Sequence, residues 1–245
     1  MIRGIYTAAS GMVAETTRTD TIANNLANGN TTGYKKDIAI SKDFASLLIQ
    51  RINDGPAVPP IGTLGAGTVI DEIATIQTAG SISSTGNSLD FAVDGKGFFA
   101  VETPAGVRFT RNGAFTRSGQ GELVTSEGFP VLGQNGAIAI PNGKISVEET
   151  GRVTVDGAEA GQLRLVEFAD DRQLVKEGNS LYRTDENGQP ATGKIMQGFL
   201  EQSNVNIVAE MVNLIAGYRA YEVNAKTVQA HDQLLDKAVN EVGKV

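Results

Sequence analysis

Apolar residues recur at steps of three and four at both ends of the chain, and gather in short alternating runs in between. At the N-terminus the stripe runs Ile2, Ile5, Ala9, Met12, Thr16, Thr19, Ala23 and Leu26, with Arg3, Glu15, Arg18 and Asp20 lying off it. This spacing predicts a helix over the first 27 residues with a heptad-like seam weakened by two threonines. Asn28 and Gly29 tolerate a left-handed helix end, so they form the expected stop. The last 45 residues repeat the pattern at Ile207, Met211, Leu214, Tyr218, Tyr221, Ala225, Val228, Asp232, Leu235, Val239 and Val242. All of these but Asp232 are apolar. The pattern therefore predicts one helix of about 36 residues, roughly 54 Å long and longer than a domain of this size needs. Ser203, Asn204 and Asn206 are its candidate N-caps.

Between the helices the pattern changes to short β-rich runs cut by tight-turn pairs: Asp94-Gly95, Asn112-Gly113, Asn135-Gly136, Asn142-Gly143, Asp156-Gly157 and Asn187-Gly188. Leu89-Phe91-Val93 and Val107-Phe109 alternate with period two. The runs AIAI, KISVEE, GRVTVDG and QLRLVEF read as strands of an antiparallel sandwich or barrel-like sheet. Residues 51–68, RINDGPAVPPIGTLGAGT, hold three of the seven prolines and read as a linker or extended arm. The expected organisation is α+β: residues 1–35 as helix and following turn, 36–75 as arm, 76–196 as a mainly antiparallel β domain, and 197–245 as the C-terminal helix.

Composition narrows the function classes. A net charge of −7 over 245 residues leaves no basic face for nucleic acid. The absence of cysteine removes disulfides, thiol nucleophiles and thiolate metal sites. No run reaches the roughly 18–20 apolar residues of a membrane span, and MIRGIYTAASGMVAE lacks the apolar core of a cleavable signal, so membrane insertion is not expected.

Candidate chemistry is sparse. The single histidine, His231, stands beside Asp232, but no nucleophile motif accompanies the pair, which makes a helix-surface histidine the expectation. Gly188 to Ile195, GQPATGKI, matches G-x-x-x-x-G-K, yet Ile195 stands where a magnesium-binding Ser or Thr belongs and a polar run precedes it, so it reads as a turn. GTLGAG, Gly62 to Gly67, lacks dinucleotide spacing. Glu148-Glu149 and Asp170-Asp171 are adjacent residues that point apart on a strand and cannot flank one bond. No cluster has metal-ligand spacing. The terminal seams remain, and helix-on-helix assembly, ending in a filament if the contact does not close, competes with simple cover for the β domain.

ANNLANGNTTGYKK, Ala23 to Lys36, resembles the N-terminal signature of bacterial flagellar rod and hook proteins, A-N-N-L-A-N followed by T-x-G-[FY]-K, carried here by Ala23, Asn24, Asn25, Leu26, Ala27, Asn28, Thr31, Gly33, Tyr34 and Lys35. Gln197 to Leu235 is similar to that family's C-terminal module. TGNSLDFAVDGKGFFAVETPAG, RFTRNGAF and GELVTSEGFPVLG are similar to its β domain. The resemblance covers nearly the whole chain. It implies a structural, non-enzymatic and cofactor-free subunit of the basal-body rod, outside the cytoplasmic membrane, exported through the flagellar type III apparatus without a cleaved signal. Its partners would be other copies of itself and neighbouring rod and hook proteins. The terminal helices would form the inner coiled-coil layer of a helical tube that transmits torque, with the β domain outside. The implied assembly residues are the seam members Ile2, Ile5, Ala9, Met12, Ile207, Met211, Leu214, Tyr218, Tyr221, Ala225, Val228, Leu235 and Val239, together with Asn24, Asn25, Leu26, Asn28, Gly33, Tyr34, Asn204 and Val205. Gln162 to Arg183 resembles the proximal-rod (F-type) member more than the distal-rod (G-type) one, whereas YRAYEVNAK leans to the distal type. A cell-wall-acting enzyme and a secreted fibre or adhesin are the competing readings.

Overall fold

The computed structural model describes residues 2–44, 47–50, 60–186 and 188–242. Residues 51–59 of the arm and Asn187 of one expected turn lie outside the described residues, as do the side chains of Ile2 and Val242. The architecture is α+β and divides into two compact units. Residues up to Ala27, Asp37–Ala74 and the residues from Asn206 onward form a helical unit, while Asn28–Lys36 and Thr75–Val205 form a β unit.

In the helical unit α1, Ile2–Ala27, pairs with α2, Ile207–Lys237, which continues into a π-helical turn at Ala238–Val242. Asn206 is the N-cap of α2: its side chain accepts from Ala209 N at 3.0 Å, satisfying one of the orphan donors of the first turn. α1 stops at Ala27, but neither Asn28 nor Gly29 takes the left-handed conformation expected of them; the positive φ falls later, at Gly33 (φ 66°). The two helices run antiparallel and approach closely at glycines. A Cβ on Gly4 would lie 2.9 Å from His231 Cε1, one on Gly11 2.9 Å from Asn224 Nδ2, and one on Gly217 2.7 Å from Thr19 Cγ2.

This contact corrects the expected seam. On α2 the half of the stripe at Ile207, Leu214, Val228 and Leu235 is half-buried, but the residues that meet the α1 glycines and Thr19 are Gly217, Asn224 and His231, with Glu210 buried and Ala238 half-buried at the same seven-residue spacing. Met211, Tyr218 and Val239 are exposed, Tyr221 is partly so, and Ala225 is half-buried. On α1 the buried residues are Ala8, Ala14, Thr19, Thr21, Ile22 and Asn25, with Ile5, Ala9, Met12 and Leu26 half-buried, while Thr16 and Ala23 are exposed. The physical reason is the close approach: small residues let the backbones meet, and larger apolar ones are displaced to the flank. The buried threonines remain satisfied within the helix, Thr19 Oγ1 donating to Thr16 O and Thr21 Oγ1 to Thr17 O, both at 2.8 Å. His231, expected on the surface, is half-buried against Gly4, and its Nδ1 is buried without a hydrogen-bond partner among the described residues.

The arm is a β ribbon. Asp37–Asp43 pairs with Thr68–Thr75, and Leu47–Gln50 runs antiparallel to Pro60–Leu64. Ser10 Oγ of α1 accepts from Thr68 N at 3.2 Å.

The β unit holds a six-stranded sheet in the order Val175–Gly178, Leu181–Arg183, Gly106–Thr110, Phe98–Thr103, Leu165–Glu167 and Gln189–Pro190, with antiparallel neighbours throughout. A three-stranded sheet, Ile145–Val147, Arg152–Val155 and Ala158–Gln162, stands beside it. Phe91–Asp94 pairs with Lys194–Gln197, and Ile82–Ser84 with Phe199–Glu201, so the last strands before α2 close the unit. Period-two alternation points to the strand Phe91–Asp94 but not to the burial of Ala92 between the buried Phe91 and Val93. AIAI is mostly not regular strand, although Ile138 and Ile140 are core residues. Phe91, Phe99 and Phe115 anchor one cluster, with ring centroids 6.0 and 5.2 Å apart. Each fully buried side chain of this size contributes about 1.5–3 kcal/mol, enough for a 14-member cluster to hold the unit.

Candidate assembly site

The N-terminal signature is used in both units, and its residues do different work in each. In the helical unit Asn25, 1% exposed, grips the arm: its Nδ2 donates to Asp37 O at 2.7 Å and its Oδ1 accepts from Asp37 N at 2.9 Å. An amide side chain can satisfy a backbone donor and acceptor at once, which no apolar residue can do. Neighbouring Asn24 is exposed, and the half-buried Asn28 accepts from Thr31 Oγ1 at 3.2 Å.

In the β unit Gly33 crosses the Arg111–Asn112 backbone so closely that a Cβ would overlap it, and its positive φ adds backbone strain for any other residue. Its N–H donates to Glu201 O at 2.8 Å. Thr32 Oγ1 donates to Asn112 Oδ1 at 2.7 Å. Tyr34 is buried, with the Lys176 ammonium 4.2 Å from its ring centroid.

Lys35 is the centre of this arrangement. Its ammonium is fully buried, ion-paired with Glu201 and donating to Thr78 O at 2.9 Å. Glu201 also accepts from Gly80 N at 2.8 Å and faces Arg111 Nη1 at 3.5 Å. Arg111 in turn donates through Nη2 to Gly95 O at 2.9 Å and lies over the Phe98 ring. Burial pulls the Lys35 pKa below its ordinary value, with the Glu201 charge opposing the shift. Two cations thus share one carboxylate in a nearly dry site.

Asn204 completes the joint from the other end of the sequence. Its Nδ2 donates to Ile76 O at 2.8 Å and Thr78 O at 3.1 Å, and its Oδ1 accepts from Lys36 N at 2.7 Å. It clamps the non-strand backbone at Lys36, Ile76 and Thr78 and is not the helix cap its position suggested. Val205 is half-buried, its N–H donating to Ser203 Oγ at 3.3 Å. The sequence singled out Gly33, Tyr34, Asn25 and Asn204 as assembly residues, and the structure places them in contacts within the chain; the sequence did not single out Glu201 or Arg111 and gave Lys35 no site role. Phe199–Glu201 is buried at both Leu200 and Glu201, so strand alternation carried no signal for Glu201.

A second surface lies on α2, about a third of a turn from the α1-facing stripe. Val208, Met211, Val212, Ile215 and Tyr218 form an exposed apolar face, with Met211 48% and Tyr218 59% accessible. Tyr6 and Val13 are similarly exposed on α1, one heptad apart.

The residues examined for chemistry are spent on structure. Glu149 pairs with Lys194 at 2.7 Å, and Asp170 caps the short turn Asp171–Gln173. Lys194 opens a strand, with no helix after it to make a phosphate cradle. Among the described residues no group of three side chains has metal-ligand geometry, and no helix is long and apolar enough to cross a membrane.

The profile described as "Flagella basal body rod protein" matches residues 5–35, "Flagellar hook protein FlgE/F/G D1 domain" matches 92–155, and "Flagellar basal body rod FlgEFG protein C-terminal" matches 196–241. A flagellar basal-body rod protein FlgG of Bacillus subtilis is 36% identical over 98% of this chain and 99% of its own length. A FlgG rod protein of Borreliella burgdorferi is 37% identical over 98% of each. A flagellar hook-basal body complex protein FlhO of Bacillus subtilis is 33% identical over the full length of both. With the signature, the central β unit and the C-terminal helix all matched in order, the chain belongs to the bacterial flagellar basal-body rod protein family.

Proposed function

We propose that this chain is a structural, non-catalytic subunit that self-assembles into the rod, and that its α2 flank is the surface through which copies join in a coiled-coil layer. The observation that carries this reading is the exposed apolar stripe from Val208 to Tyr218, set beside a seam of small and polar residues that already occupies α1. A helix that turns its polar and small face to its own partner and leaves its larger apolar residues in water gains stability when another surface covers them. Stiff packing of many such contacts would transmit torque to the hook, and export through the flagellar type III apparatus would deliver the chain. Residues 162–183 favour a proximal-rod place and YRAYEVNAK a distal one, with the proximal place ranked first.

The test is a pair of substitutions, Met211→Asp and Tyr218→Asp, in cells that depend on this chain for motility. Loss of swimming, with basal bodies truncated at the rod and the purified monomer still folded, is the expected result. Normal rods with both substitutions would exclude this face. Antibody labelling of isolated basal bodies, proximal or distal, decides the axial position.

A further inference from the structure

We propose that Asn135-Gly136 is a spontaneous modification site, at which the asparagine converts to aspartate and isoaspartate while the other described Asn-Gly pairs of the chain are protected by the fold. The chemistry needs a flexible, exposed asparagine followed by a residue without a side chain. The Gly136 nitrogen loses its proton and attacks Cγ of Asn135, the new C–N bond closes a five-membered imide, and the Cγ–Nδ2 bond breaks to release ammonia. Water then opens the imide at either carbonyl, giving aspartate or a backbone lengthened by one methylene. The net change is one water consumed and one ammonia lost, with no oxidation or reduction.

The four described pairs differ in what holds them. Asn112 Oδ1 accepts from Thr32 Oγ1 at 2.7 Å and from Ala114 N at 3.1 Å, and a Cβ on Gly113 would overlap the Phe91 carbonyl, so neither residue can rotate into the attacking geometry. Asn28 Oδ1 accepts from Thr31 Oγ1, while Asn28 O accepts from Thr31 N at 3.1 Å. Asn142 Oδ1 accepts from Arg117 Nη1, and Gly143 is pressed against the Asp156 carboxylate. Asn135 is exposed and forms no side-chain hydrogen bond among the described residues. Gly136 has open space where a Cβ would be. The strands that flank the Gln134-Asn135 turn, Leu132–Gly133 and Gly136–Ala137, are two residues each. Freeing Gly136 N from its pairing with Gly133 therefore needs only a local opening.

The experiment is long incubation of the purified full chain at mildly alkaline pH, followed by peptide mass mapping and isoaspartyl methyltransferase labelling. The peptide containing Asn135 is expected to gain about 1 Da and to take up label first, with the Asn112 peptide last. In urea the ranking should collapse, because every Asn-Gly pair is then equally free. Asn135→Gln should remove the early signal and leave the others unchanged. Conversion of Asn112 or Asn142 as fast as Asn135 in the folded chain, or no early signal at Asn135, overturns the proposal.

Discussion

Glu201→Gln should be the most damaging single change to the β unit, and more damaging than Lys35→Met, although each removes half of the same ion pair. Glu201 is ion-paired directly with two buried cations, Lys35 and Arg111. Its neutral amide can keep the bond from Gly80 N but removes the charge paired directly with both cations, leaving only the Asp171 charge acting on them, in a site where Lys35 is 0% and Arg111 6% exposed. Stranding a buried charge costs about 3–5 kcal/mol. Lys35→Met instead leaves Glu201 facing Arg111 and Gly80 N, and Thr78 O keeps its bond from Asn204 Nδ2, so the loss is of one charged pair and one hydrogen bond, about 1–3 kcal/mol. Denaturant unfolding of the full chain, with amide exchange to assign the loss to residues 75–205, gives both values. The β-unit midpoint should fall further for Glu201→Gln, with unchanged slope. The double variant should cost less than the sum of the singles, because the lysine is no longer there to be stranded. A larger loss for Lys35→Met, or simple additivity, would refute the assignment of Glu201 as the shared counter-charge.

Gly33→Val should destabilise the β unit by more than about 3 kcal/mol, since it adds a β-branched side chain at φ 66° against the Arg111–Asn112 backbone; a thermal melt of the β unit unchanged within a degree or two would contradict this. Asn25→Leu, which leaves Asp37 N and O without their partner, should lower protection in Asp37–Asp43 while exchange in the β unit stays as it was. Because the folded pKa of Lys35 lies below the unfolded 10.5, the unfolded chain binds more protons in the interval between the two values. Stability relative to Lys35→Met should therefore rise with pH through that interval, and a falling difference in urea titrations at stepped alkaline pH would show the sign to be wrong. Leu214→Asp puts a charge on a half-buried position of α2 and should loosen the α1–α2 pair in the monomer as well as block assembly, unlike Tyr218→Asp, whose effect on monomer unfolding should stay within about 0.5 kcal/mol.

Both helices were legible from their three-four spacing, and Asn206 from its place before Ile207. What the spacing could not divide was the work of the two flanks. The stripe through Met211, Tyr218 and Val239 is more apolar than the one through Glu210, Gly217, Asn224, His231 and Ala238, so hydropathy assigns the first to the nearest partner. In the structure α1 takes the second, because Gly4, Gly11 and Gly217 allow backbone approach that large side chains prevent. The turn pairs marked the β unit, and period two pointed to the strand at Phe91–Asp94 but not to the burial of Ala92 on its other face, while AIAI, read as a strand, is mostly irregular. Lys35, Arg111 and Glu201 were out of reach for a different reason. Residues far apart in sequence give no local pattern, and a lysine, an arginine and a glutamate in polar stretches look like solvated charge until the fold removes the solvent.

The Lys35–Glu201 pair also sets an order of events. Its members are 166 residues apart, and the strand that bears Glu201 closes onto Ile82–Ser84 only after almost the entire β unit has been made. Closing so long a loop is entropically slow, and Glu201 is the carboxylate ion-paired directly with Lys35. A chain emerging from the ribosome therefore carries an unclosed β unit, with Lys35 unpaired, until Glu201, about four-fifths of the way along, is free.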